Sequence, residues 1–148
     1  MESSNFNVKK IGVVRNDVKA PRHGGFNELE SRIIIDEEYV GGLKDLKDYS
    51  HVTIVFWLSL VNSVDITHTP QGRKDVPEVG IFACRCPDRP NPIAITTVEL
   101  LGLEEGVLKV KGLDAVDGTP VLDIKPYTPQ YDLPQNVRVP DWVNRLAY

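Results

Sequence analysis

The chain has no apolar run long enough to cross a bilayer. Its longest stretches are about 8 to 10 residues, against the ~20 that a spanning helix needs. The N-terminal MESSNFNVKK has none of the apolar core of a secretory leader, so a cytoplasmic protein without a membrane partner is expected. Cysteine is scarce: Cys84 and Cys86 are the only two, and with one residue between them a mutual disulfide is sterically poor. On a strand they would share a face and could offer two thiolates to a metal. His23, His51 and His68 are scattered and complete no ligand set, so no metal is expected and the pair reads first as small packing residues.

Catalytic fingerprints are missing as well. There is no GxGxxG after a strand, no GxxxxGK[ST] and no GxSxG, which removes the dinucleotide fold, the P-loop and the nucleophile elbow. A cysteine nucleophile stays open, because Arg85 beside Cys84 would favour a thiolate, but no histidine adjoins it in sequence. Positive charge is short overall: the net charge is −4 and the pI near 5.4, which argues against a general nucleic-acid coat. A local patch remains possible between residues 71 and 90, where Arg73, Lys74, Arg85 and Arg89 stand against Asp75, Glu78 and Asp88.

What is present suits a single domain over residues 1–148, long enough to bury a real core. β-Branched enrichment predicts strands over 8–16 and 31–39, with a short turn or helix at VGGLKDLKDY. The run HVTIVFWLSL (51–60) is nearly all apolar and predicts a strand buried on both faces. Residues 61–79 are polar and predict a long mobile loop in contact with substrate. ITTVELLGLEEGVLKVKGLDAV predicts a hairpin turning at Glu104-Glu105-Gly106, and VLDIKPY a further strand after the Asp117-Gly118-Thr119-Pro120 turn. Residues 128–139 are proline-punctuated and irregular, and PDWVNRLAY predicts a short helix starting at Pro140 with Trp142 docked. Many short strands and little helix together predict a mostly β fold, a single compact antiparallel barrel with minor helical additions. Asp114, Asp117 and Asp123 lie close in sequence, but a turn role for Asp117 and an ion pair from Asp123 to Lys125 or Arg85 account for them better than a carboxylate cluster.

The stretch GIFACRCPDRPNPIAI is the densest in chemistry. Pro87, Pro90 and Pro92 stiffen it, so Arg85, Asp88, Arg89 and Asn91 are presented on a rigid track. Strand alternation would put Ile81, Ala83 and Arg85 on one face, and a guanidinium buried there needs a carboxylate or a ligand as partner.

IFACR, RPNPIAITTVELL, LDAVDGTPVLDIKPY, APRHGG and YSHVTIVFW together resemble the TsaA/TrmO family, over nearly the whole chain from Ile11 to Tyr127. The resemblance implies a compact, dimerising β-barrel unlike the Rossmann-type methyltransferases, in its short single-domain form. It implies S-adenosyl-L-methionine as cofactor, and methylation of N6 of threonylcarbamoyladenosine beside the anticodon of a tRNA. Carried over by position, the cofactor contacts are Pro21, Arg22 and His23, then Arg85, Ile95 and the segment Lys111, Gly112, Leu113 and Asp114. Ser59 and Leu60 align where better-known members carry a His-Gln pair, Ala94 replaces a glycine, and Cys84 and Cys86 stand where threonine and serine are common. Arg73, Lys74, Arg89 and Asn91 are the residues expected to meet an anticodon loop, whose unpaired bases can be read on their edges. The alternatives are a methyltransferase acting on another substrate and a non-catalytic S-adenosylmethionine-binding protein.

Overall fold

The structure, a computed structural model, describes residues 4–148; Met1 to Ser3 of the expected 1–148 domain lie outside it. Six strands close into an antiparallel barrel: β1 (Gly12–Arg15), β2 (Glu30–Ile35), β3 (His51–Trp57), β6 (Ile93–Glu104), β7 (Val107–Lys111) and β8 (Pro120–Pro126). Their order around the barrel is β1-β2-β7-β6-β3-β8 and back to β1. Closure leaves no unpaired edge in this sheet. Two further strands, β4 (Thr67–His68) and β5 (Val79–Gly80), form a small ribbon outside it.

Alternation along each strand explains the core. Val14, Ile33, Val52, Ile54, Phe56, Val98, Leu108, Val110 and Val121 point inward and are essentially inaccessible. Burying each is worth roughly 1.5–3 kcal/mol, which is what holds so small a barrel against chain entropy. β3 departs from expectation here. Only Val52, Ile54 and Phe56 are buried, while Thr53, Val55 and Trp57 stay half-exposed, because in a closed barrel the second face looks outward.

The hairpin between β6 and β7 turns through Glu105 and Gly106, both at positive φ (48° and 77°), as a tight two-residue turn of primed type requires. β6 is long and bends where its register shifts between Leu100 and Gly102. The expected strands 8–16 and 31–39 are shorter than their β-branched flanks suggest. Asp36 ends β2 and the chain enters 3₁₀ turns at Glu37–Leu43 and Leu46–Asp48.

Residues 61–79 are not a free loop. Ile81 N–H reaches Ile66 O and Asp65 N–H reaches Asp88 O (both 2.9 Å), while Pro70 and Val76 are buried. The C-terminal segment returns to this excursion. A 3₁₀ turn at Asp141–Arg145 replaces the expected helix, with Pro140 just before it; Arg145 donates to Asp75 O, and Ala147 exchanges two hydrogen bonds with the Gln71 side chain.

Candidate functional site

The site is built from the ends of three segments. The first follows β1: Pro21 and Arg22 precede Gly24 and Gly25, both at φ above 70°, a left-handed geometry that glycine adopts freely. Arg22 closes this loop by donating to Gly25 O (2.7 Å), with its guanidinium 4.7 Å from the centre of the buried Phe26 ring. The second is the exit of β3, where Leu58, Ser59 and Leu60 follow the last buried residue of the strand. The third is the 114–119 segment between β7 and β8. It is anchored by Leu113 and Ala115 in the core and by the Thr119 hydroxyl donating to Val116 O (2.7 Å).

These segments enclose a cleft of about 90 Å³, lined by Pro21, Arg22, Phe26, Ser59, Leu60 and Asp114 among others. Its walls are mostly apolar, with one guanidinium at the loop and one carboxylate opposite. Asp114 accepts a 2.5 Å hydrogen bond from the Thr96 hydroxyl, which fixes the carboxylate against the end of β6. Such a donor set suits a zwitterionic ligand with a flat apolar part.

Five of the expected cofactor residues thus meet: Pro21, Arg22, Ser59, Leu60 and Asp114. The others do not line this cleft. His23 is exposed on the same loop, and Lys111 lies on the outer face of β7 between Glu99 (3.3 Å) and Glu28 (3.8 Å), whose hydrogen bond and charge raise its pKa. Gly112, at φ 94°, makes the turn out of β7, and Leu113 is core. Ile95 points outward from the barrel wall, 49% exposed. Phe26, Leu58, Thr96, Val116 and Thr119 were missed by sequence reasoning; Thr96 and Thr119 sit inside the RPNPIAITT and DGTP motifs, which was the available signal.

The central stretch differs most from its strand reading. Residues Ile81–Ala83 form a 3₁₀ turn, so alternation breaks: Ile81 and Cys86 are buried, and Phe82, Ala83 and Arg85 are exposed. Arg85 is therefore not a buried guanidinium, and it has no hydrogen bond or ion pair among the described residues. Arg89 organises the loop instead. Its Nη1 donates to Cys84 O (2.8 Å), Ile81 O (3.0 Å) and Cys86 O (3.3 Å). Burial, with Cys84 alongside, pushes the Cys86 thiol up to about 12, which suits a packing residue and not a thiolate. Arg73 is held by both oxygens of Asp75 (2.8 Å each), Lys74 and Asn91 are exposed, and Asp123 pairs with Lys125 (2.7 Å).

Residues 13–133 match the family of tRNA-methyltransferase O N-terminal domains (TrmO_N). The chain belongs to this family. Among its relatives, a probable S-adenosyl-L-methionine-binding protein of Archaeoglobus fulgidus is 43% identical over 136 residues, 89% of this chain and 37% of that protein. An S-adenosyl-L-methionine-binding protein of the same organism is 40% identical over 129 residues and covered to 91% of its length. The tRNA (adenine(37)-N6)-methyltransferase of Mus musculus is 35% identical over 131 residues, 30% of that protein. A crystal structure of TrmO from Pseudomonas aeruginosa superposes with a TM-score of 0.76 at 29% identity, over 95% of this chain and 62% of that one. The chain therefore spans about a third of the first relative and of the mouse enzyme, and just under two thirds of the solved TrmO chain. The TrmO_N family's barrel accounts for the expected fold.

Proposed function

We propose that the chain binds S-adenosyl-L-methionine in the cleft and transfers its methyl group to a tRNA adenosine beside the anticodon, at N6 of threonylcarbamoyladenosine. The observation that carries this reading is the meeting of Pro21, Arg22, Ser59, Leu60 and Asp114, brought from three distant segments to one cleft of a TrmO_N barrel. The printed names of the mouse and human relatives, tRNA (adenine(37)-N6)-methyltransferases, support the substrate class.

The cleft fits the cofactor chemically. Phe26, Leu58, Leu60 and Val116 suit a purine face, Asp114 suits an ammonium or ribose hydroxyls, and Arg22 keeps donors beyond the one spent on Gly25 for a carboxylate. When bound, the sulfonium supplies an electrophilic methyl, so the protein's task is to hold donor and nitrogen in line. Thr96 and Leu113 serve that task by fixing Asp114 from both sides.

A cleft of about 90 Å³ encloses only part of such a ligand, and Arg85 and Ile95 do not line it. A homodimer closing over the outer face of β3 and β6, where Val55, Ile93 and Ile95 leave an apolar patch, would cover the ligand and bring a second Arg85 and Ile95 towards it. Sedimentation of wild type and Ile95→Glu tests this, with a single monomeric species for both as the refuting result. Among the described residues no helix is long and apolar enough to cross a membrane; a cytoplasmic site of action is part of the same proposal.

The decisive experiment is nucleoside analysis of tRNA from cells with and without the gene, beside calorimetry with S-adenosyl-L-methionine. Loss of methylated threonylcarbamoyladenosine is expected. Cofactor binding with an unchanged nucleoside profile would favour the second reading, a binding protein without transfer to tRNA, which the archaeal relatives' names support.

A further inference from the structure

Away from the cleft, the outer face of the barrel carries a row of three cations. Arg15 on β1 is registered opposite Arg32 on β2, and Arg32 opposite Lys109 on β7. All three are exposed, while their strand neighbours Val14, Ile33 and Leu108 are core. Like charges directly opposite one another destabilise a sheet, so the row needs a compensating anion. Among the described residues ion pairs supply it only at the ends, although Asp17 also lines the hollow. Asp117 lies 2.9 Å from Lys19 and 3.8 Å from Arg15, and Glu30 lies 2.7 Å from Lys109. Arg32, in the middle, has no ion pair or hydrogen bond among the described residues, and the row lines a broad open hollow of about 650 Å³.

We propose that this row is where the phosphodiester backbone of the substrate RNA lies. The inference rests on the tRNA reading above and assigns its docking surface. An extended polyanion suits a line of cations spaced by the ~4.8 Å between strands, over a hollow too open to hold a small anion tightly. Arg32 offers a planar fork with every donor unspent, the geometry that suits a phosphate. The hollow and the cleft are joined through one segment. Asn16 donates from its side chain to Ala115 O (2.8 Å) and from its backbone to Asp117 (3.1 Å), so the 114–119 segment forms a wall of both hollow and cleft. In the basic window at 71–90, Arg73 is spent on Asp75 and one nitrogen of Arg89 on three carbonyls, which leaves Lys74 and Arg85 as its free cations among the described residues and Lys74 as the control in the test.

The test is filter binding of purified tRNA to wild type, Arg32→Glu, Arg32→Gln and Lys74→Glu across a salt series, with calorimetry of S-adenosyl-L-methionine on the same samples. Arg32→Glu should weaken tRNA binding roughly tenfold or more, Arg32→Gln less, and the Gln variant should lower the salt slope by about 1. Cofactor affinity should stay within about twofold, which separates a lost surface from a lost fold. Wild-type tRNA affinity in both Arg32 variants, or a loss confined to Lys74→Glu, overturns the row and leaves the function intact. A wild-type protein that binds the cofactor but no tRNA overturns both.

Discussion

The Thr96 hydroxyl donates to Asp114 Oδ1 across 2.5 Å, joining the mouth of β6 to the segment that leaves β7. The two are eighteen residues apart in sequence, with the rest of β6, the turn and β7 between them. This bond positions the one carboxylate that lines the cleft among the described residues. Thr96→Val keeps the volume and removes the donor. It should lower S-adenosyl-L-methionine affinity about fivefold, the equivalent of roughly 1 kcal/mol for a lost charged hydrogen bond at a partly exposed site. Calorimetry at constant pH reads this, and an unchanged affinity would detach Thr96 from the site.

Arg89 ties three carbonyls of the 81–86 turn with one nitrogen. Arg89→Ala should cost about 1–3 kcal/mol, because the Cys84 and Cys86 carbonyls lose their side-chain donor and Ile81 O keeps only the weak Cys84 thiol. Arg89→Lys should recover only part of this, because an ammonium lacks the fixed fork. Chemical denaturation gives the stability, and limited proteolysis should show new cleavage between residues 81 and 92. Equal protease resistance in Arg89→Ala would mean that the prolines alone hold the loop.

Gly12 has no room for a side chain: a Cβ there would sit 2.6 Å from Ile34 O, a backbone atom of the paired strand. Gly102→Ala, by contrast, meets nothing within 4 Å. Gly12→Ala should therefore destabilise the barrel by about 1–3 kcal/mol as an overpacked site, and Gly102→Ala should do far less. Matched melting curves of the two variants decide it; similar losses would count against the close approach of β1 and β2.

Asp117 has its pKa held below the ordinary carboxylate range, first by the hydrogen bond from Lys19, then by the Asn16 backbone N–H. A folded pKa depressed below the unfolded one means stability that is complete above the unfolded value, near 3.9, and lost as pH falls through the folded value. Stability should thus decline below about pH 4, and Asp117→Asn should flatten that part of the profile while changing little at pH 7 beyond the lost pair. Urea midpoints from pH 2 to pH 7 check it. Parallel profiles for both proteins would remove Asp117 from the acid transition.

Cys86 is buried and its thiol is pushed up to about 12, so little thiolate exists near neutrality. Iodoacetamide at about pH 8 should modify at most one cysteine of the native protein, Cys84, and both after unfolding. Mass spectrometry of the alkylated peptides settles which. Rapid native labelling of Cys86 would show that the 81–92 loop opens readily.

Much of this was legible before folding. The presence of strands at β2, β3 and β7, the hairpin turn at Glu105-Gly106 and the DGTP turn are local, because each rests on the chain's own stereochemistry, whereas the outward-facing half of β3 is set by barrel closure. The RPNPI and DGTPVLDIKPY motifs named the family, and APRHGG with Asp114 named half the cleft. Local reading failed where a tertiary contact overrode it. Gly80 to Cys86 has strand composition, yet Arg89 gathers its carbonyls and curls Ile81–Ala83 into a turn, which exposes Arg85.

The sequence by itself determined that this is a closed-patterned β protein of the TrmO_N family with a stiff, arginine-bearing central loop. Only the tertiary structure decided which loops share a cleft, which cations are already paired, and that Arg15, Arg32 and Lys109 stand in line. The reason is physical. Side-chain direction along a strand is set by its own two-residue period, but the register between residues 77 apart in sequence, as at Arg32 and Lys109, is set only when the whole barrel closes.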